Sequence, residues 1–120
     1  MPSSFRDERG YIEDLLVTPI DSVTRIVTRA GAVRGNHVHE ETTQWTYVIS
    51  GRLRIVTRGL SGDVQEREYG PSEMAIELPG VAHAWKALAD CTCLVFTRGP
   101  RSGAGYESDT SRLAEEDWLI

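Results

Sequence analysis

Two-residue alternation of apolar and polar positions runs through most of the chain, and the 3.6-residue period of helices is nearly absent. Short β-branched runs occupy residues 11–18 and 22–29, and a longer one covers residues 38–50. Ser50-Gly51 predicts a hairpin turn into residues 52–58, where arginines alternate with apolar side chains. Residues 59–63, Gly-Leu-Ser-Gly-Asp, predict the next turn, followed by a strand over 64–69. Gly70-Pro71-Ser72 turns again before a strand over 74–78, and two more strands are predicted over 83–88 and 92–98. Short strands about ten residues apart, punctuated by Gly and Pro, give an all-β sandwich or barrel. Parallel α/β architecture is excluded, because no segment is long enough for crossover helices. The tail, residues 99–120, breaks the pattern. Residues 99–105 predict a loop, and residues 109–120 predict either a short helix capped at Asp109, Thr110 or Ser111 or an extended arm.

Within this pattern the three histidines stand out. His37 and His39 are two apart, so one face of a strand carries both imidazoles, while His83 belongs to a distant strand that a barrel brings near. That is an arrangement a divalent metal needs. Gln44 lies an odd number of residues after His39, so it joins the same face only if residues 40–43 include a turn or bulge. Beyond it, Gln44, Thr46 and Val48 share one face and Trp45, Tyr47 and Ile49 the other. On the later strand His83, Trp85 and Ala87 share a face.

A chain of 120 residues is sized for one domain, here taken as 1–120, and needs no disulfide to fold. Thirteen basic residues against 18 acidic give a net charge of −5 with no basic run, which argues against nucleic acid as a partner. No apolar stretch approaches the length of a membrane span and residues 1–6 form no signal-peptide core, so no membrane partner and a cytosolic location are expected. Cys91 and Cys93 alternate with Thr92 and Leu94 in an apolar run, and read as two reduced, buried thiols, with a Cys-x-Cys metal clip as the lesser alternative.

Gly31, five residues, His37-Val38-His39, four residues, Gln44, six residues and Gly51 resemble the first motif of the cupin superfamily, with Gln44 where cupins usually carry Glu. Gly70 … Pro79-Gly80-Val81-Ala82-His83 resembles the second motif, one residue short. The two motifs cover about residues 31–87, and the resemblance implies a cupin jelly-roll barrel, the double-stranded β-helix. It also implies that His37, His39, Gln44 and His83 bind a divalent transition metal such as iron, manganese, nickel or zinc. A neutral amide at Gln44 leaves more charge on such a metal, which strengthens its Lewis acidity.

A second resemblance is to the nucleotide-sugar 3,4-ketoisomerases, through Arg34-Gly35-Asn36-His37-Val38-His39 with Gln44. It implies metal-free chemistry with the His pair as acid and base. Arg34-Gly35-Asn36-His37 and Asp7-Glu8-Arg9-Gly10 are also similar to segments of the deoxysugar 3,5-epimerases, whose His abstracts a proton beside a ketone. Departures are that ketoisomerases generally lack a His at position 83, and epimerases lack the paired His39.

The leading expectation is a metal-dependent enzyme isomerising or epimerising a small carbonyl or sugar-derived substrate. His37, His39 and Arg34 are its candidate catalytic residues, and Trp85 and Arg34 would orient the substrate. The rivals are a non-haem iron dioxygenase, the metal-free ketoisomerase or epimerase, and a non-catalytic metabolite-binding module. Arg25, Arg29, Arg52 and Arg54 read as a solvated strand face rather than an anion clamp. Trp85 is equally suited to stacking on substrate and to the core. Residues 106–110 suit an exposed loop, a cover over the barrel mouth, or a strand given to a partner. Trp45 and Tyr47 point to sheet packing or a homodimer surface.

Overall fold

The computed structural model describes residues 4–100 and 103–120. Eleven antiparallel strands dominate them: β1 (Ser4–Asp7), β2 (Gly10–Glu13), β3 (Ser22–Thr28), β4 (Val33–His39), β5 (Thr43–Ser50), β6 (Leu53–Arg58), β7 (Val64–Tyr69), β8 (Met74–Glu77), β9 (Ala82–Ala87), β10 (Cys91–Arg98) and β11 (Thr110–Arg112). A helix α1 (Gly103–Asp109) and a 3₁₀ turn (Glu115–Asp117) complete the tail. One sheet has the order β3-β10-β5-β8 and the other β11-β4-β9-β6-β7, while β1 and β2 pair only with each other. The fold is an all-β jelly roll: the alternation indicates the all-β class, and the cupin resemblance implies the jelly-roll arrangement.

Each inward face follows the period of two. On β10, Cys91, Cys93, Val95 and Thr97 are buried while Thr92, Leu94 and Phe96 are only half-buried. Val48, Leu53, Ile55, Ala75, Trp85, Ala87 and Val95 form the core with the two cysteines. The thiols are free and lie 3.6 Å apart, and burial pushes both above the ordinary thiol range. At ~25 cal/mol per Å² this apolar core is the main source of stability. A cavity borders it at Ile55, Trp85 and Val95.

Three local expectations are corrected. Ser50-Gly51 is a turn but not a hairpin: β5 and β6 belong to different sheets, and the turn carries the chain from one to the other. Gly51 has φ 88°, and a Cβ there would lie 2.2 Å from the Asp90 carbonyl oxygen, so only glycine fits this crossing. The predicted run over 38–50 is two strands, broken at residues 40–42. In the tail, the helix precedes rather than follows Asp109; within the loop expected over 99–105, Gly103 already starts α1, and residues 101 and 102 lie outside the described part. Residues 110–112 are an extended arm whose Thr110, Ser111 and Arg112 pair with His39, Val38 and His37 of β4.

Candidate functional site

His37 and His39 project from β4 and His83 from β9, with His37 directly opposite His83 in the strand register. Their ligating nitrogens all fall within 4.8 Å of one another. His37 Nε2 and His83 Nε2 are 3.0 Å apart. Two lone-pair donors at about 2.0–2.1 Å from one metal, at tetrahedral or octahedral angles, are separated by roughly 3.0–3.4 Å, so this pair fits a single ion. His83 is buried, and desolvation, reinforced by the fields of His37 and His39, lowers its pKa to about 3. It therefore presents a neutral lone pair at any ordinary pH.

His39 is held from behind. Its Nδ1 lies 3.2 Å from Thr110 Oγ1 and 3.5 Å from Asp109 Oδ2, with both the His39 and Asp109 side chains almost fully buried. Asp109 is itself fixed by the Glu41 N–H at 2.6 Å and the Thr42 hydroxyl at 2.6 Å. A carboxylate on one imidazole nitrogen sets the tautomer that leaves the other nitrogen's lone pair toward the cavity, which serves both metal binding and proton acceptance. Neither Asp109 nor Thr110 was foreseen as a site residue. They come from a segment about 70 residues away, and no local pattern marks them.

The cavity holds about 250 Å³ and is lined by the three histidines with Arg34, Gln44, Glu77, Trp85 and Tyr106 among others. The break at residues 40–42 meets the condition for Gln44, which faces the same space and donates from Nε2 to Thr46 Oγ1 at 3.3 Å. Trp85 is 7% exposed, belongs to the core and borders the cavity. Arg34 reaches the rim, where its guanidinium donates to Thr28 Oγ1 at 3.0 Å and the Val27 carbonyl at 3.1 Å. Among Arg25, Arg29, Arg52 and Arg54 none lines the cavity; Arg52 pairs with Glu68 and Arg54 with Glu66. Tyr106 on α1 lines the cavity, with its ring 5.9 Å from that of His39.

Glu77 is the largest surprise. It pairs with Gln44 across β5 and β8, is 3% exposed, and accepts from Thr46 Oγ1 at 3.2 Å. Burial pushes its carboxyl up to about 8, against the pull of the Thr46 hydrogen bond. The signal available in the sequence was a single Glu inside Met74-Ala75-Ile76-Glu77-Leu78. Binary patterning turns Ile76 and Leu78 inward; the strand instead buries Ala75 and Glu77 and leaves Ile76 and Leu78 exposed.

The cupin family profile matches residues 14–108. The chain is a cupin. No curated protein matches it. Among solved structures, this cupin is similar to the capsular polysaccharide assembling protein CapF of Staphylococcus aureus, at 22% identity and TM-score 0.70. That match covers 94% of this chain but 32% of the other, so the cupin spans about a third of that protein. The sugar 3,4-ketoisomerase QdtA of Thermoanaerobacterium thermosaccharolyticum, solved with TDP, is 17% identical over 97% of this chain and 87% of its own, with TM-score 0.76. A dTDP-4-dehydrorhamnose 3,5-epimerase of Elizabethkingia anophelis is 16% identical over 99% and 76%, with TM-score 0.79. These likenesses establish the fold of the epimerase and ketoisomerase cupins. No helix among the described residues is long and apolar enough to cross a membrane.

Proposed function

We propose that this cupin is an isomerase- or epimerase-type enzyme that moves a proton next to the carbonyl of a small or sugar-derived substrate, in which His37, His39 and His83 hold a divalent transition metal. The observation that carries the reading is the convergence of three imidazoles in a cavity with His39 backed by Asp109. Iron, manganese, nickel or zinc there would supply a Lewis acid that polarises a carbonyl oxygen. Gln44 offers a neutral amide oxygen to the same centre. Trp85 gives a flat apolar wall for a sugar ring, and Arg34 at the rim suits a negatively charged group outside it. A cavity of about 250 Å³ is small beside the usual pocket range of ~300–1,000 Å³, so a nucleotide attached to the sugar would lie beyond the mouth. The neighbouring ketoisomerase, solved with TDP and with TDP-4-keto-6-deoxyglucose, supports this substrate class. Glu77, on the opposite wall, keeps its proton near neutral pH and is the second proton-carrying group in reach of the cavity.

The same reading includes a cytosolic homodimer. The outer face of the β3-β10-β5-β8 sheet carries Val23, Phe96, Trp45 and Ile76 in one cross-strand row, which suits a second copy. Buried free thiols suit a reducing compartment.

The test is incubation with TDP-4-keto-6-deoxyglucose in D₂O, followed by NMR. Deuterium should enter at a carbon beside the ketone, with or without oxygen. Ligand bound but unaltered over long incubation would assign a binding module, and dependence on O₂ would assign a dioxygenase.

A further inference from the structure

β4 contains one residue more than its partner strand accommodates. Arg34 faces Trp85 and Gly35 faces Ala84, but the next pairing is His37 with His83, so Asn36 is the extra residue of a β-bulge. Directly opposed residues share a face of the sheet. Without the bulge, Asn36 would stand beside His83 on the same wall of the cavity, and His37 and His39 would turn to the outer side. A one-residue slip of β4 therefore removes two of the three imidazoles from the site.

Asn36 has φ 56° and is 7% exposed. Its main-chain carbonyl accepts the Leu113 N–H at 2.9 Å. Its side-chain Oδ1 accepts the Leu119 N–H at 2.7 Å, and its Nδ2 donates to the Ile120 carbonyl at 3.2 Å. Asparagine is the residue other than glycine that best tolerates a left-handed backbone, and its amide matches both an N–H and a C=O of a passing chain. Glycine would supply the backbone angle without the clamp; aspartate would supply an acceptor without the donor.

We propose that Asn36 is a positioning residue that fixes the register of β4: by fastening the tail at residues 113–120 to the bulge, it keeps its own side chain out of the cavity and keeps His37 and His39 in. The functional consequence rests on the metal-centre reading above, whereas the register does not. A tail that merely covered an edge strand would loosen without any effect on the histidines.

Two variants test this in the metal-free protein, Asn36→Gly and Leu119→Pro. The second removes the shorter of the two N–H contacts to Asn36 Oδ1, leaving the Ile120 N–H at 3.4 Å, and changes no residue of the barrel strands. Trp118 already has φ −58° and ψ 141°, the conformation preferred before proline. Losing one such hydrogen bond is expected to speed exchange of the Leu113 amide about tenfold. In both variants the His37 and His39 rings should show a second set of ¹H–¹⁵N signals, and zinc affinity should fall by a similar factor. Val48 and Val95 amides should stay protected, which shows that the barrel is intact. Asn36→Asp should retain part of the effect of the wild-type side chain. Single, unshifted ring signals with a loosened tail would overturn the proposal, as would an unchanged tail. If Asn36→Gly fails to fold, Leu119→Pro decides. Wild type that binds no zinc would overturn the metal reading and leave the ring signals to decide the register.

Discussion

The wall of the cavity built by β4 and β9 carries three imidazoles, whereas the wall built by β5, β8 and β10 carries Gln44, Glu77 and Thr97. Both walls are buried to a similar degree, with His83 at 6% and Glu77 at 3% exposure. The same loss of water acts on them in opposite directions. It lowers His83 to about 3 and raises Glu77 to about 8. Desolvation disfavours whichever form is charged. Near neutral pH the cavity thus sets a neutral lone pair on one side against a neutral acid on the other. A donor set of this kind suits an entering cation or a carbonyl compound better than it suits an anion.

The contrast can be broken most forcibly at Trp85, which belongs to the histidine wall and to the core at once. Trp85→Ala should cost about 3–5 kcal/mol in urea unfolding and also weaken substrate binding. A loss of binding without a loss of stability would separate it from the core.

Glu77→Gln sharpens the comparison through pH. Below about 4.5 the carboxyl is protonated in both folded and unfolded chains, so its burial carries no charge penalty. Between 4.5 and about 8 the unfolded chain releases the proton while the folded one keeps it, and stability is progressively lost as pH rises. The glutamine variant lacks that loss. It should gain on the order of a few kcal/mol over wild type at pH 8.5 and nearly nothing at pH 4.5. An equal difference at both pH values would contradict a buried, neutral Glu77. His83 contributes the reverse dependence, losing stability as pH falls from 6.5 toward 3.

Asp109→Asn has a smaller expected effect, because it leaves every imidazole in place. Removing the carboxylate behind His39 should weaken zinc by roughly 10–100-fold, the usual cost of losing such a partner. Unchanged affinity would mean that Asp109 serves only the turn at residues 40–42.

Much of the histidine wall could be read from residue order alone. The His37-Val38-His39 spacing, the isolated His83 and the Gln44 parity condition all reflect a strand's period of two, and the barrel strands follow from it. On the opposite wall Gln44 was legible, but Glu77 was not. Glu77 violates binary patterning, so the rule that finds strands points it outward. Asp109 and Thr110 reach His39 only because the tail returns as a strand beside β4, which no periodicity reports. The bulge at Gly35 and Asn36 escaped for a related reason: it lets Arg34 and His37, an odd number of residues apart, face the same cavity. The Ser50-Gly51 turn was located correctly, but a turn between sheets and a hairpin carry the same short-range signal.

The most direct measurement is elemental analysis of protein purified without chelator, with His83→Ala beside it. A near-stoichiometric divalent transition metal that is lost in the variant is the predicted result, and the element found would separate oxygen chemistry from Lewis-acid chemistry. Wild-type protein without metal, or a variant that keeps it, would contradict the three-histidine centre and leave His37 and His39 as a metal-free acid and base.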